Sequence, residues 1–316
     1  MPLRHPTGAA ALALLALATG PLAHASCGAA FCSVNTQWET QGVWAQPGWR
    51  LGLRYEYLDQ DQLRSGSHKV DPSGTPGDTD ELDTLNRNWL VSADYTVNQN
   101  WSVSLQLPYV DRDHRHVVND VPPVTETWSI TGLGDLRAIA AVQTSVTEGA
   151  IGLRLGVKLP TGSTTETNRA GVPAERSLQP GSGTTDAIAG AFYYRQLQGD
   201  ATTLFTQVLW QQPHEAYRDY APGEQVMTDI GLRYALTLET SAMLQLNYTY
   251  KGRDHGAEAE VEDSGGRFLY LSPGVSHNFG QRLQAYGFVQ LPLSQDVNGT
   301  QLTPHWSAVA GLSWRM

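Results

Sequence analysis

Residues 228 to 251 read T-D-I-G-L-R-Y-A-L-T-L-E-T-S-A-M-L-Q-L-N-Y-T-Y-K. Every second residue of the first half, Ile230, Leu232, Tyr234, Leu236 and Leu238, is apolar or aromatic, and Asp229, Gly231, Arg233, Ala235 and Thr237 lie between them. After Glu239-Thr240 the alternation resumes, with Ala242, Leu244, Leu246, Tyr248 and Tyr250 set against Met243, Gln245, Asn247, Thr249 and Lys251. A strand sends successive side chains to opposite faces. The stretch therefore reads as a hairpin turning at Glu239-Thr240, with one greasy face and one face carrying Asp, Arg and Lys. A soluble sandwich could use such a pair once. Here the pattern recurs along the chain.

Working towards the C-terminus, a polar segment at 252–265 precedes a tenth strand to about Asn278, a turn at Gly280-Gln281, an eleventh strand to Leu291, a loop to Thr303 and a closing strand that alternates Trp306, Ala308, Ala310, Leu312, Trp314 and Met316 on one face. Working towards the N-terminus, dyad strands begin at Trp49 (Trp49, Leu51, Leu53, Tyr55, Tyr57), near Trp89 and at Trp101 (Trp101, Val103, Leu105, Leu107, Tyr109), then near Gly134, Ile151, Thr185 and Ala201. Asp59 to Asp83, Asp111 to Thr131 and Pro160 to Gly183 lack apolar periodicity and read as long loops. Asn98-Gln99-Asn100, Glu148-Gly149 and Gly199-Asp200 read as tight turns. Long loops follow odd strands and tight turns follow even ones, which is the plan of an outer-membrane barrel. The expectation is an all-β chain, a transmembrane antiparallel up-and-down barrel of about twelve strands (roughly 10 to 14). Aromatic residues end the apolar faces, where a water–lipid boundary places them.

The N-terminus fits that destination. Met1-Pro-Leu-Arg4-His5, an apolar run from Ala9 to Ala18 and Ala23-His24-Ala25 read as a cleaved secretory signal peptide over residues 1–25. The run is too short for a membrane helix. Residues 26–48 then form a short periplasmic segment, and 49–316 the barrel. Cys27 and Cys32 are the only cysteines. In an oxidising compartment a disulfide is the default for them, with a soft metal or free thiols as alternatives. His24-Ala25-Ser26 lacks the upstream aliphatic residue that a lipid-modified Cys27 requires. Mean hydropathy of −0.32 is compatible with a barrel, in which half of each strand is polar. A net charge of −10 argues against nucleic acid as a partner. The expected surroundings are outer-membrane lipid and lipopolysaccharide of a Gram-negative bacterium, with the barrel-assembly machinery recognising the last strand.

If the apolar faces meet lipid, the opposite faces line a lumen. The candidates there are Arg50, Arg54, Glu56, Asp94, Arg137, Arg154, Lys158, Arg195, Asp229, Arg233, Gln245 and Lys251, together with Asp135. Such charges must be paired or hydrated. They can rigidify a narrow barrel, form cationic walls that favour anionic or polar solutes, or do both. Asp111-Arg112-Asp113-His114-Arg115-His116 offers His114 and His116 on one side of an extended chain, a weak metal candidate set against an ordinary solvated loop. His277 and His305 come with no recognisable nucleophile motif, so no catalytic residue and no cofactor are expected.

Three stretches carry a resemblance: Gly132-Leu-Gly-Asp135-Leu-Arg137, Leu155-Gly-Val-Lys158-Leu-Pro-Thr-Gly162, and Gln179-Pro-Gly181-Ser-Gly183-Thr-Thr-Asp186. With Val289-Gln-Leu-Pro292-Leu and Asn298-Gly299-Thr-Gln301-Leu302, their order and spacing resemble the outer-membrane transporter-like family named for the MetA pathway of phenol degradation. The resemblance spans roughly Trp89 to the C-terminus and implies a barrel importing small, often aromatic or hydrophobic molecules. It implies no particular binding residues. The resulting expectation is a channel for small polar, anionic or aromatic molecules. The alternative is a non-transporting barrel with a metal- or redox-linked cysteine pair.

Overall fold

The computed structural model describes residues 47–75, 78–197 and 201–316. The expected signal peptide, both cysteines and most of the 26–48 segment lie outside the described residues. Fourteen strands follow in order: β1 (Gly48–Ser65), β2 (His68–Lys69), β3 (Thr79–Thr96), β4 (Trp101–Val118), β5 (Val124–Leu133), β6 (Leu136–Val146), β7 (Gly149–Leu159), β8 (Asp186–Gln196), β9 (Thr202–Pro213), β10 (Gln225–Ala235), β11 (Thr240–Lys251), β12 (Gly266–Phe279), β13 (Leu283–Val297) and β14 (Thr300–Arg315). All pairings are between antiparallel neighbours, and β14 pairs with β1 from Arg50↔Arg315 to Ser65↔Thr300. The sheet is thereby a closed barrel of 12 strands once two local features are set aside. The two-residue β2 only pairs with the tip of β1. β5 and β6 are one strand interrupted at Gly134-Asp135, β5 lying beside the upper half of β4 and β6 beside its lower half.

The greasy set of each strand is on the outside. Leu53, Val91, Leu105, Leu155, Ile230, Leu244, Leu246 and Leu312 are all exposed, while Gly52, Arg54, Ser92, Asp94, Arg154, Asp229, Gln245 and Asn247 between them are buried. Inverted polarity of this kind is stable only where the outer solvent is hydrocarbon and every backbone group is paired within a closed sheet. Rings end the band, with Trp49 against Tyr95 at 4.9 Å at one rim, and Tyr55 against Trp89 and Tyr57 stacked on Trp306 at 5.4 Å at the other. Just above the second rim the outer face turns ionic: Arg87 pairs with Asp111 (2.9 Å) and Asp113 (2.5 Å), Arg115 with Asp83, and His305 with Asp61 (2.7 Å).

Several sequence expectations need correction here. Asp59–Asp83 and Asp111–Thr131 are mostly strand, since β1, β3, β4 and β5 continue well beyond the apolar band. The nine residues of β4 above Tyr109 raise the wall by roughly 20 Å at ordinary strand rise and tilt. The alternation vanishes there because both faces meet polar surroundings, although the backbone ladder continues. The loop expected before Thr303 is the two-residue connection Asn298-Gly299 between long strands, so tight turns and long loops do not alternate strictly. The opening hairpin turns at Leu236–Glu239, and Thr240 already belongs to β11.

Candidate functional site

The barrel interior is built from the buried residues of each strand, and it is polar in layers. Arg50 faces Asp94 at 3.6 Å and Arg54 faces Glu56 at 2.6 Å. Across the barrel, the Arg154 guanidinium lies 4.5 Å over the Phe192 ring and donates to Gln207 Oε1. Gln207 and Asn247 each donate to a different oxygen of Asp229 at 2.6 Å, and Ser272 donates to Asn247 at 2.6 Å. Arg233 Nε donates to Ser241 Oγ at 3.0 Å. Lys251 reaches Asp254 at 2.6 Å. Arg137 also belongs to the inward set of β6. Arg137 and Arg233 form no ion pair among the described residues. Small apolar clusters punctuate the polar layers, notably Met243, Tyr286, Phe288 and Val309. At the turn end, Ser102, Ser104, Gln106, Ile139, Gln143, Arg154 and Phe192 line a small solvent-connected pocket.

One candidate falls elsewhere. Arg195 shares its face of β8 with Ala187, Ala189 and Tyr193, and it is exposed beside the turn, paired with Glu148 at 3.1 Å. It is not an interior residue. The inward residues of β8, Asp186, Ile188 and Phe192, are at even positions, so Arg195 points outward.

The first three of the stretches that carried the resemblance meet at one place. Asp135 sits in the break between β5 and β6, where its carboxylate accepts from Lys158 Nζ (2.8 Å), Gly162 N (3.0 Å) and Ser182 N (3.0 Å). Lys158 also faces Asp186 at 3.3 Å and donates to Ser182 Oγ and to Thr184 O (3.0 Å). Gly162 and Gly181 cross in direct backbone contact: a Cβ on Gly181 would lie 2.5 Å from Gly162 O. No residue with a side chain fits either position without moving the backbone. This node holds both ends of the 160–185 loop.

From the node the loop folds inward along the raised wall. Ala174 and Leu178 pack on Trp128 and Ile130 of β5. Trp128 Nε1 donates to Val172 O at 3.2 Å, and Arg112 donates to Leu178 O at 2.5 Å. The neighbouring loops interlock with it: Arg176 lies 5.0 Å over the Tyr220 ring, and Asp254 accepts from Gly223 N (2.8 Å) and the Tyr220 hydroxyl (3.1 Å).

His114 and His116 are not in a solvated loop. Both are on the inward face of β4, buried above the apolar band beside Glu81 of β3 and Glu175 of the 160–185 loop. Burial pushes the Glu81 carboxyl well above the ordinary carboxylate range, and the charges of Glu175 and Glu260 push the same way. Burial lowers His114 to about 3, helped by His116 and Arg112, and raises Glu175 to about 7. Glu81 and Glu175 were missed in the sequence. His277 Nδ1 pairs with Thr240 Oγ1 at 2.9 Å and His305 with Asp61, the latter on the outer surface.

No family model and no curated protein matches the chain. Among solved structures, an outer-membrane channel from Pseudomonas putida F1 superposes with a TM-score of 0.66 at 14% identity, over 90% of this chain and 100% of that one. Looser likenesses include the NanC porin (TM-score 0.49, 9% identity, 84% of this chain and 100% of that one) and the KdgM porin (0.42, 8%, 84% and 99%). At these identities the likeness concerns architecture, and the chain has the fold of an outer-membrane β-barrel.

Proposed function

We propose that this chain is a passive outer-membrane channel for small solutes, with a preference for anionic and aromatic ones. It would reach the membrane by the cleaved signal peptide and stand with its short turns in the periplasm. The observation that carries this reading is the interior. A barrel whose outer face suits hydrocarbon holds five basic residues, Arg50, Arg54, Arg137, Arg154 and Lys158, on the facing inner surfaces of β1, β6 and β7, and Arg233 further round on β10. Most are met by carboxylates or amides, and Arg137 stands in the field of Asp186, Glu56 and Asp135 without a direct ion pair, while Arg233, held by Ser241, forms no ion pair among the described residues and is the cation the wall offers most openly. Fixed positive charge in a low-dielectric tube raises the local anion concentration. The pocket at the turn end sets Arg154 beside Phe192, Ile139 and Leu209, so a small aromatic carboxylate finds a cation and apolar surface together. The architecture shared with an outer-membrane channel adds to the same reading.

Liposome swelling and planar-bilayer recording of the purified chain test it, with benzoate as the aromatic anion and a cation of similar size as the control. Benzoate permeation above the cation, with a reversal potential on the anion side, is expected. A folded, inserted barrel that passes neither solute would refute the reading.

A further inference from the structure

We propose that Glu81, His114, His116 and Glu175 form a binding site for one divalent first-row transition-metal ion of the zinc type, which clasps the inward-folded 160–185 loop to the barrel wall. The four side chains each offer one ligand atom, and these atoms all lie within 4.8 Å of one another. His114 Nε2 is 3.3 Å from Glu81 Oε2, and His116 Nδ1 is 3.9 Å from both Glu81 Oε1 and Glu175 Oε1. Tetrahedral ligands about 2.0–2.1 Å from zinc stand about 3.3 Å apart, so these edges need to contract by at most about 0.6 Å and the widest separation in the set by at most about 1.5 Å, within reach of side-chain rotation.

The backbone delivers these groups by an irregularity. β3 and β4 pair Glu81↔His116 and then Asp83↔Arg115 and Thr84↔His114, so Leu82 is an extra residue, a β-bulge. Below the bulge the inward residues of β3 are Thr84, Asn86 and Asn88; without it the same parity would turn Glu81 outward. Bulges re-aim single side chains in this way. The result is a carboxylate with no exposed surface whose two oxygens accept no hydrogen bond among the described residues. His114 Nε2, equally buried, also lacks one. A buried acid pointed at an imidazole nitrogen, with neither hydrogen-bonded, is what a shared cation resolves.

Outer contacts fix the rings. Thr84 Oγ1 meets His114 Nδ1 at 2.9 Å, which leaves Nε2 facing the centre, and Glu126 Oε2 meets His116 Nε2 at 3.3 Å, which leaves Nδ1 facing it. Metal-bound imidazoles hold their second nitrogen in this manner. Trp128 closes one side, 4.7 Å from the His116 ring. Two imidazoles with two carboxylates suit zinc and its neighbours and disfavour calcium and magnesium, which take oxygen ligands. Three ligands belong to β3 and β4 and the fourth to the loop, so an ion there ties a mobile kind of element to a fixed one.

The test uses the full chain refolded in detergent, stripped with EDTA, with Cys27→Ser and Cys32→Ser in the background so that the cysteines contribute nothing. Calorimetric titration with zinc should give one equivalent, uncompeted by excess calcium or magnesium. His114→Ala and the near-isosteric Glu175→Gln should each weaken binding by more than the roughly 10–100-fold expected for loss of an outer contact, which Thr84→Val would show. His305→Ala, on the outer surface, should bind as the parent does. Trypsin supplies the second readout: the half-buried Arg176 should become cleavable after chelation and be protected by zinc. Heat-modifiable gel mobility reports whether each variant is folded. Unchanged zinc affinity in folded His114→Ala and Glu175→Gln, or no stoichiometric binding in the parent, would overturn the proposal. Failure of solute permeation would leave it standing, since metal binding is read without transport.

Discussion

Leu246→Arg tests the orientation of every strand at once. Tyr234 lies level with Ala242, and Tyr250 is eight positions further along β11. At about 3.4 Å per residue and a tilt near 40°, those rings are roughly 21 Å apart along the barrel axis. Leu246 is midway, about 10 Å from each, exposed, and flanked by Ile230 on β10 and Leu271 on β12. An arginine there has no water within easy reach of its guanidinium and should destabilise the folded barrel by about 2–4 kcal/mol. That is roughly a 30- to 900-fold shift in the folding equilibrium. Tyr234→Arg, at the rim, should cost about 0–1 kcal/mol. Reversible urea unfolding in phospholipid vesicles, followed by tryptophan fluorescence, measures both. Equal costs at the two sites, or a cost below about 1 kcal/mol at Leu246, would mean that this face does not meet hydrocarbon, and the barrel's inside and outside would have been assigned wrongly.

Other outcomes follow from the interior. Lys158→Met strands the buried carboxylates of Asp135 and Asp186 and should destabilise the barrel by about 3–5 kcal/mol, a loss that Asp135→Asn in the same chain should partly restore, as chemical denaturation would report. Gly181→Val drives a side chain into the Gly162 backbone, so the 160–185 loop should leave its seat; faster proteolysis within the loop and a larger single-channel conductance are the measures, and an unchanged digestion pattern would refute the contact. Arg233→Gln removes a cation without exposing a paired acid, and at about 1 kcal/mol for charges 4 Å apart in water it should lower anion permeability about fivefold, read as a shift of reversal potential toward the cation side.

How much of this could be read in advance depended on which solvent each face meets. Where lipid lies outside and polar groups inside, the contrast is written at every second residue, and the hairpin of Ile230, Leu232, Leu244 and Leu246 stood out for that reason. Above Trp89 and Tyr109 the contrast ends, and the raised parts of β3, β4 and β5 looked like loop although their backbone pairing is continuous. The bulge at Leu82 reversed the parity, which no local composition announced, and so Glu81 was passed over. Glu175 is brought to the histidines by an inward fold of some twenty-five residues, a placement that the spacing of the chain does not encode. The node of Asp135, Lys158 and Ser182 is an intermediate case. Its residues were noticed as separate stretches, but only the crossing of Gly162 and Gly181 explains why glycine stands at both.

The seam between β14 and β1 has a consequence for how such a molecule comes into being. Gln60 donates to Leu302 O at 3.3 Å, Arg64 Nε to Thr303 Oγ1 at 3.2 Å, and Thr303 to Gln62 O at 3.2 Å, each across about 240 residues. None of these partners is local, so the first strand made must wait for the last. Until then two sheet edges are unpaired, and in hydrocarbon each unpaired amide or carbonyl is costly by several kcal/mol. Partial closure gains little, because a half-zipped seam still exposes its remainder. Assembly is therefore expected to be steeply cooperative at its final step and slow for its length, as contacts so distant in sequence require. A chain truncated by one terminal strand would lose the whole barrel rather than one twelfth of it.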